Sequence, residues 1–253
     1  MTIGLYQDPW IMTIGLHGTS DMRTSVRIED GAAWITLDDG KVNAMTFEML
    51  REIEQRLDEA RSSGRPVVIK GRPGIFSAGF DMKTFARGPD ASQQMVRAGV
   101  SLIQTLLAYP RPIVAACTGH AYPMGAFLML SADVRFGVAG PWKIGLNEVA
   151  IKLAVPQFAI ELARYRLTPP GVAQLSTAAM FAPDVAAQFG YLDYVVHNEE
   201  LDAAVSREVQ RLKMLDWQSY EITKRRLNAP VLSAIASAAV GYQPPSEPLL
   251  PPA

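Results

Sequence analysis

Apolar residues recur along the chain with two different periods, which predict strands and helices in alternation. Residues 25–29 and 33–37 alternate apolar and polar side chains on either side of Asp30-Gly31, a pattern typical of a β-hairpin. From 47 to 60 the apolar residues instead fall at helical spacing, directly after Thr46, a residue type that favours the N-cap position. The first predicted unit is therefore a strand pair followed by a helix.

Strands and helices continue to alternate through the first two thirds of the chain. Short segments that are wholly or mainly apolar predict strands, and a 3.6-residue period predicts helices. The predicted strands are 67–69, 113–116 and 134–137, the predicted helices are 92–108 and 123–131, and a glycine-rich loop is predicted at 71–80. This order is typical of an α/β fold with mostly parallel strands.

The two ends of the chain have different patterns from the middle. After about residue 155 the pattern is helical, with an amphipathic segment at 201–215 and a further predicted helix at 217–227. The last segment holds five prolines and predicts an extended tail. The pentapeptide Met-Thr-Ile-Gly-Leu occurs at 1–5 and again at 12–16. The predicted organisation is an N-terminal extension of unknown role (1–22), a core (23–195), a helical region (196–242) and a proline-rich tail (243–253).

Composition narrows the classes of function. A formal net charge of −1 with no basic stripe argues against a nucleic-acid partner. No apolar stretch reaches the ~20 residues of a membrane span, and the N-terminus lacks the pattern of a signal peptide. The single cysteine, Cys117, cannot form an internal disulfide, which fits a cytoplasmic location. His17, His120 and His197 lack ligand spacing, so no metal site is expected.

Two glycine-containing turns carry the candidate chemistry. Each follows a buried strand and precedes a predicted helix, one at 76–80 and the other at 119–125. Such a junction leaves backbone N–H groups free at a helix start and adds the positive end of the helix dipole. Two such groups aimed at one point would make an oxyanion hole. The residues alone leave open that the glycines only relieve tight turns.

At these turns the chain resembles the crotonase, or enoyl-CoA hydratase/isomerase, superfamily, over roughly 25–230. The resemblance rests on motifs taken in order, which are Phe76-Ser77-Ala78-Gly79-Phe80-Asp81-Met82-Lys83, Pro112-Ile113-Val114-Ala115-Ala116, Gly119-x-Ala121 and Ser131-Ala132-Asp133-Val134-Arg135. It implies a crotonase-like spiral of ββα units. It also implies a C-terminal helical region that assembles homotrimers or hexamers.

The resemblance further implies how an acyl-CoA thioester would bind. The two oxyanion-hole N–H groups would belong to Phe80 and Met124. The carbonyl of Ala78 would lie beside the adenine ring, and Lys83 would approach a CoA phosphate, although an ordinary solvated lysine is an equally good interpretation. The same CoA-binding motif includes Asp81 and Met82. Coenzyme A enters as part of the substrate, so no separate cofactor is implied.

Members of this superfamily differ in the acids and bases around the thioester. Hydratases resemble one another in using two glutamates to position water, one of them three residues after the second N–H donor. Here that position is Phe127, which would share the helix face of Met124 but cannot carry a proton. The other glutamate corresponds to Glu148, in a segment similar to that of Δ3,Δ2-enoyl-CoA isomerases, which use one glutamate.

One carboxylate is consistent with moving a double bond from C3=C4 to C2=C3. A single base removes a proton at C2 and returns it at C4, and an apolar pocket raises its pKa toward neutrality. The expected walls are Phe127, Leu128, Trp142, Ile144 and Leu146. We therefore predict an enoyl-CoA isomerase of fatty acid metabolism. Two alternatives stay open, a 2-enoyl-CoA hydratase and a non-catalytic acyl-CoA-binding homologue.

Overall fold

The computed structural model describes residues 22–240. The repeated pentapeptide of the N-terminal extension and the proline-rich tail therefore lie outside the described residues. Within 22–240, the helices are α1 (Phe47–Ser63), α2 (Met82–Phe85), α3 (Pro89–Leu107), α4 (Pro123–Leu130), α5 (Gln157–Arg166), α6 (Pro169–Ala173), α7 (Pro183–Phe189), α8 (Leu201–Leu212) and α9 (Trp217–Val240). None of these helices is long and apolar enough to cross a membrane.

The strands of this part of the chain form two sheets. They are β1 (Thr24–Glu29), β2 (Ala32–Leu37), β3 (Val67–Lys70), β4 (Gly74–Ser77), β5 (Ile113–Cys117), β6 (Gly119–Ala121), β7 (Val134–Val138), β8 (Ile144–Gly145), β9 (Met180–Phe181) and β10 (Tyr194–Val196). The larger sheet has the order β1-β2-β3-β5-β7-β10, and the smaller has the order β4-β6-β8-β9. From β2 to β10 the larger sheet is parallel, and only β1 joins it antiparallel. The predicted α/β class is therefore confirmed.

Alternating side chains of the larger sheet are buried on both of its faces. Successive residues of a strand point to opposite faces, so one strand contributes to two clusters. Val67, Ile69, Ile113 and Ala115 pack into the main core with α1 and α3, while Val68, Val114 and Ala116 pack with α8. This two-sided burial explains why β5 and the first three residues of β3 are all apolar in sequence.

The first helix follows its sequence signals closely. The Thr46 hydroxyl accepts a hydrogen bond from the Met49 N–H, which caps the start of α1. Gly64 ends the helix with φ 65°, a left-handed conformation that glycine adopts without strain. The four residues predicted to face the core, Met49, Leu50, Ile53 and Leu57, are all buried. The residues of α3 whose spacing predicts an inward position are buried too, namely Met95, Val100, Leu102, Ile103, Leu106 and Leu107.

The predicted glycine-rich loop at 71–80 is wrong, because β4 lies inside it. Gly119, placed by the sequence in the second glycine-containing turn, instead begins β6, which pairs in parallel with β4. The glycines mark close approach of two backbones rather than a loop, since a Cβ on Gly119 would lie 2.5 Å from the Ile75 N atom. The chain thus crosses from the larger sheet to the smaller one between β3 and β4, and again between β5 and β6.

The C-terminal part also departs from its prediction. Two short strands, β9 and β10, interrupt the helices expected after residue 155. The final helix continues to Val240 instead of ending at Leu227, although it contains Pro230, which lacks an N–H donor. Packing sustains it, because α9 lies against α3 and α5 and buries Val231 and Ile235 in the main core.

Candidate active site

A cavity of about 180 Å³ lies between the turn after β4, the start of α4 and residues 147–158. Its walls are mainly apolar and include Phe80, Met82, Phe85, Val96, Phe127, Ile151, Leu153 and Phe158. Among the described residues that line it, the polar side chains are those of Tyr122, Asn147 and Glu148. A mostly apolar pocket with a few polar groups is typical of a small-molecule site.

The turn after β4 is held by hydrogen bonds that leave one N–H group free. The Ser77 hydroxyl donates to the Asn43 carbonyl at 2.7 Å and accepts from the Gly79 N–H at 3.1 Å. Gly79 has φ 90°, which favours glycine. The N–H groups of Ala78 and Asp81 donate to backbone carbonyls. The Phe80 N–H has no acceptor in the described part of the chain, so it is available to a ligand.

The start of α4 supplies a second free N–H beside this turn. Pro123 is the first helical residue and has no N–H, and no side chain caps the helix. The Met124 N–H is therefore the first of the helix that lacks an internal partner. A Cβ on Gly79 would lie 3.5 Å from the Met124 N atom, so the two turns are in contact. Gly125 permits this approach, because a Cβ there would lie 2.8 Å from the Ser77 Cβ.

Glu148 is the carboxylate of the cavity. It begins a 3₁₀ turn, Glu148–Ile151, shortly after β8, and its side chain is buried. Its Oε2 atom has no hydrogen-bond partner among the residues that the structure describes. Burial raises the pKa of this carboxyl from an ordinary 4.5 to about 7, and the hydrogen bond with its own backbone N–H opposes that shift only in part. A carboxylate with a pKa near neutrality suits proton transfer.

Phe127 occupies the position, three residues after Met124, at which the resemblance implies a second glutamate in hydratases. Its ring lines the cavity and packs edge to face on Phe158, with 5.8 Å between ring centroids. Glu148 is consequently the single carboxylate among the described residues that surround this space. Groups of three or more metal-ligating side chains are also absent from residues 22–240.

The structure brings together most of the residues singled out in the sequence. The cavity is lined by Ala78, Phe80, Met82, Phe127 and Glu148. The Met124 side chain is fully buried, so its contribution rests on the backbone N–H.

Asp81 and Lys83, two of the predicted CoA-binding residues, do not line the cavity. Asp81 is the N-cap of helix α2, and Lys83 lies within that helix. The Asp81 carboxylate caps this helix and accepts hydrogen bonds from the Lys83 and Thr84 N–H groups. A structural role for Asp81 is thus evident. Lys83 is exposed on the same helix.

The predicted walls are largely wrong. Phe127 lines the cavity, whereas Leu128, Ile144 and Leu146 are buried in the main core and Trp142 packs on His120. Helix α4 is apolar on every side, so its sequence does not reveal which face meets the cavity. The actual walls come partly from α2, which directly follows the first turn, and partly from α3 and 151–158, which are more distant in sequence from both turns.

Gly99 is a residue that the sequence analysis missed. It lies in α3, where a Cβ would come within 2.5 Å of the Phe80 ring and 3.2 Å of the Met124 sulfur atom. The glycine therefore forms a notch in α3 for the side chains of both residues that carry the free N–H groups. A glycine inside an otherwise apolar helical pattern was the available signal.

Known proteins share this sequence and fold. A family model described as enoyl-CoA hydratase/isomerase matches residues 27–240. An enoyl-CoA hydratase/isomerase family protein from Pseudomonas syringae is 38% identical, with a TM-score of 0.85, and the match covers 86% of this chain and 95% of that chain. The resemblance and the fold predicted from the motifs are therefore confirmed.

Two further relatives differ in how they are described. A Mycobacterium tuberculosis protein is 34% identical with a TM-score of 0.83, over 88% of this chain and 97% of that chain. It is described both as an enoyl-CoA isomerase and as a probable enoyl-CoA hydratase. A probable enoyl-CoA hydratase of Bacillus subtilis is 30% identical, and the match spans about half of each protein, 53%.

Proposed function

Since the chain belongs to the enoyl-CoA hydratase/isomerase family, whose members are enzymes, we propose that it is a Δ3,Δ2-enoyl-CoA isomerase with Glu148 as its one base. The observation that carries this proposal is the pairing of a single buried carboxylate with Phe127 in an apolar cavity. A hydratase of this family would have a second acid in place of Phe127. The pathway that we infer is fatty acid metabolism.

The proposed reaction moves one proton and one double bond. The N–H groups of Phe80 and Met124 donate to the thioester oxygen, and Glu148 removes a proton from C2. The C2–H electron pair forms a dienolate that extends from the thioester oxygen to C4. Glu148 then delivers the same proton to C4, which leaves the double bond between C2 and C3. Each N–H donor typically contributes ~3 kcal/mol to stabilising such an oxyanion.

The environment of Glu148 supports a shuttle of this kind. Its unpartnered Oε2 atom is free to take up a proton, and a pKa of about 7 lets the group exchange that proton near neutral pH. Apolar walls exclude water, which would otherwise remove the proton between the two steps.

The coenzyme portion is proposed to bind around the turn after β4. Ala78 lies at the cavity and offers its carbonyl to the adenine amino group, while the exposed Lys83 offers a cation to a phosphate. Met82 would contact the pantetheine arm. Asp81 would act indirectly, because it caps the helix that carries Met82 and Lys83.

Hydration of 2-enoyl-CoA is the second candidate. Tyr122 and Asn147 line the same cavity as Glu148, and their polar groups could hold a water molecule for addition to C3. A binding protein without catalysis is less well supported. A buried carboxylate without a partner destabilises the fold, and binding alone gives no reason to keep it.

The decisive experiment offers 3-enoyl-CoA and 2-enoyl-CoA to the purified protein and identifies products by mass spectrometry. We expect isomerised product and little hydrated product. Glu148→Gln should lower the isomerisation rate by about 10²–10⁴-fold while keeping affinity for a saturated acyl-CoA. Glu59→Gln, at an exposed position of α1, is the matched control. Predominant hydration would favour the second candidate, and full activity of Glu148→Gln would contradict the assignment of the base.

A further inference from the structure

The inner end of the cavity is formed by buried aromatic side chains, and its position limits what can enter. We propose that the site takes short acyl groups and that Phe127 and Phe158 set this limit. The inference rests on the proposed function, because it takes the acyl group to be that of an enoyl-CoA.

Burial distinguishes the mouth of the cavity from its inner end. Met82, Tyr122 and Asn147 line the cavity and are partly exposed, so they mark the mouth. Phe127 and Phe158 line the same space at 1% exposure each, and Phe85 and Val96 are buried as well. An acyl chain that enters at the mouth and passes Glu148 therefore ends against these buried side chains.

The volume sets the length of chain that fits. The cavity holds about 180 Å³. Pockets for drug-sized ligands commonly hold ~300–1,000 Å³. The cavity is thus smaller than a pocket for a drug-sized ligand, and Ala78 and Met82, which line it too, are the proposed contacts of the coenzyme. The space that remains beyond Glu148 favours a short acyl chain.

The inner end is rigidly supported. Phe127 belongs to α4, whose residues from Met124 to Leu130 are all buried, and Phe158 belongs to α5. The two rings contact each other edge to face, with 72° between their planes. Helix α5 is in turn packed against α9, whose Val231 and Ile235 are buried in the same core. A longer chain would have to displace packed side chains of α4 and α5.

The test compares acyl-CoA substrates of different acyl chain length in variants that carry smaller side chains at the inner wall. We expect wild-type protein to turn over 3-hexenoyl-CoA with a kcat/KM at least tenfold above that of 3-dodecenoyl-CoA. Phe127→Leu and Phe158→Leu should reduce this ratio at least fivefold, mainly by improving the longer substrate. Phe136→Leu is the matched control, because Phe136 is buried in the cluster on the other face of the larger sheet. Its ratio should equal that of the wild type.

Binding separates this inference from the proposed function. Calorimetry with hexanoyl-CoA and dodecanoyl-CoA measures the length preference without any reaction. Tighter binding of the short ester by a protein that has no isomerase activity would support the length limit and overturn the isomerase assignment. Isomerisation of both lengths at equal kcat/KM, with equal affinities, would overturn the length limit and leave the isomerase assignment intact. Should a leucine variant fail to fold, the wild-type affinities decide.

Discussion

At the scale of single residues, Glu148 links the chemistry of the site to its stability. The side chain is only 5% exposed, and its pKa is raised to about 7 when the protein is folded. An unfolded chain would return it to about 4.5, so the unfolded state loses its proton first as the pH rises. The folded protein is therefore most stable, with respect to this group, below pH 4.5. It loses stability as the pH rises through 7, by about 3 kcal/mol in all.

Glu148→Gln should consequently stabilise the protein in a pH-dependent way. The amide stays neutral, so we expect little difference from wild type at pH 5 and a gain of about 2–3 kcal/mol in the free energy of unfolding at pH 8.5. Denaturant unfolding at the two pH values measures this difference. Glu59→Gln, on the exposed surface of α1, should show no comparable pH dependence. An equal effect of Glu148→Gln at both pH values would contradict the raised pKa.

At the scale of elements, the packing of α3 on the turn after β4 determines where the first N–H donor lies. The notch at Gly99 admits the Phe80 ring, and that ring belongs to the residue whose N–H is free. The helix can therefore pack on the turn only because residue 99 has no Cβ atom. Alanine would suit the helix itself better than glycine by ~1 kcal/mol, which isolates packing as the reason for glycine here.

We expect Gly99→Ala to lower both stability and activity. Overpacking of a buried site typically costs ~1–3 kcal/mol, which exceeds the gain in helix propensity. Adding Phe80→Leu should restore stability, since a shorter side chain relieves the crowding while the backbone N–H remains. Thermal unfolding of the single and double variants measures the effect. Gln94→Ala, exposed on the same helix, serves as the control, and a stability gain in Gly99→Ala would show that no notch is needed.

Sequence patterns predicted those elements whose burial has a simple period. The hairpin, α1, α3 and the buried strands β3, β5 and β7 follow from alternation, capping and apolar runs. Strands β4 and β6 were missed because their glycines serve the close approach of two paired strand backbones within the smaller sheet, which no local pattern reports. The alignment of this sequence with the motifs of the family indicated that Glu148 and Phe127 belong to the site. The partners Val96 and Phe158 are remote in sequence, and only the folded chain brings them to the same cavity.

At the scale of the whole molecule, a buried ion pair connects the last helix, α9, with the larger sheet. The Lys224 Nζ atom of α9 lies 2.7 Å from the Asp133 Oδ2 atom, which also accepts the Ile113 N–H at the start of β5. Both side chains are largely buried, at 6% and 19% exposure. Burial lowers the pKa of Lys224, and the Asp133 carboxylate opposes that shift. Assembly into homotrimers or hexamers stays a prediction.

Lys224→Met should be strongly destabilising, because it leaves a largely buried carboxylate without its cation. Removal of one partner from a buried ion pair typically costs ~3–5 kcal/mol. The neighbouring Arg225, whose side chain is 73% exposed in its pair with Glu221, offers a matched control. Arg225→Met should change the free energy of unfolding by no more than ~0.5 kcal/mol. Similar values for the two variants in denaturant titrations would mean that the Lys224 pair contributes little to holding α9.

The raised pKa of Glu148 also bears on reversibility. A carboxyl group whose pKa is close to the surrounding pH gives up its proton and takes it back with nearly equal ease. Because Glu148 returns to C4 the proton that it takes from C2, it ends each proposed turnover as it began and cannot shift the equilibrium in either direction. The alkene conjugated with the thioester carbonyl is the more stable isomer, and that difference within the substrate would decide which product accumulates. The protein would accelerate the approach to that equilibrium by the same factor from either isomer.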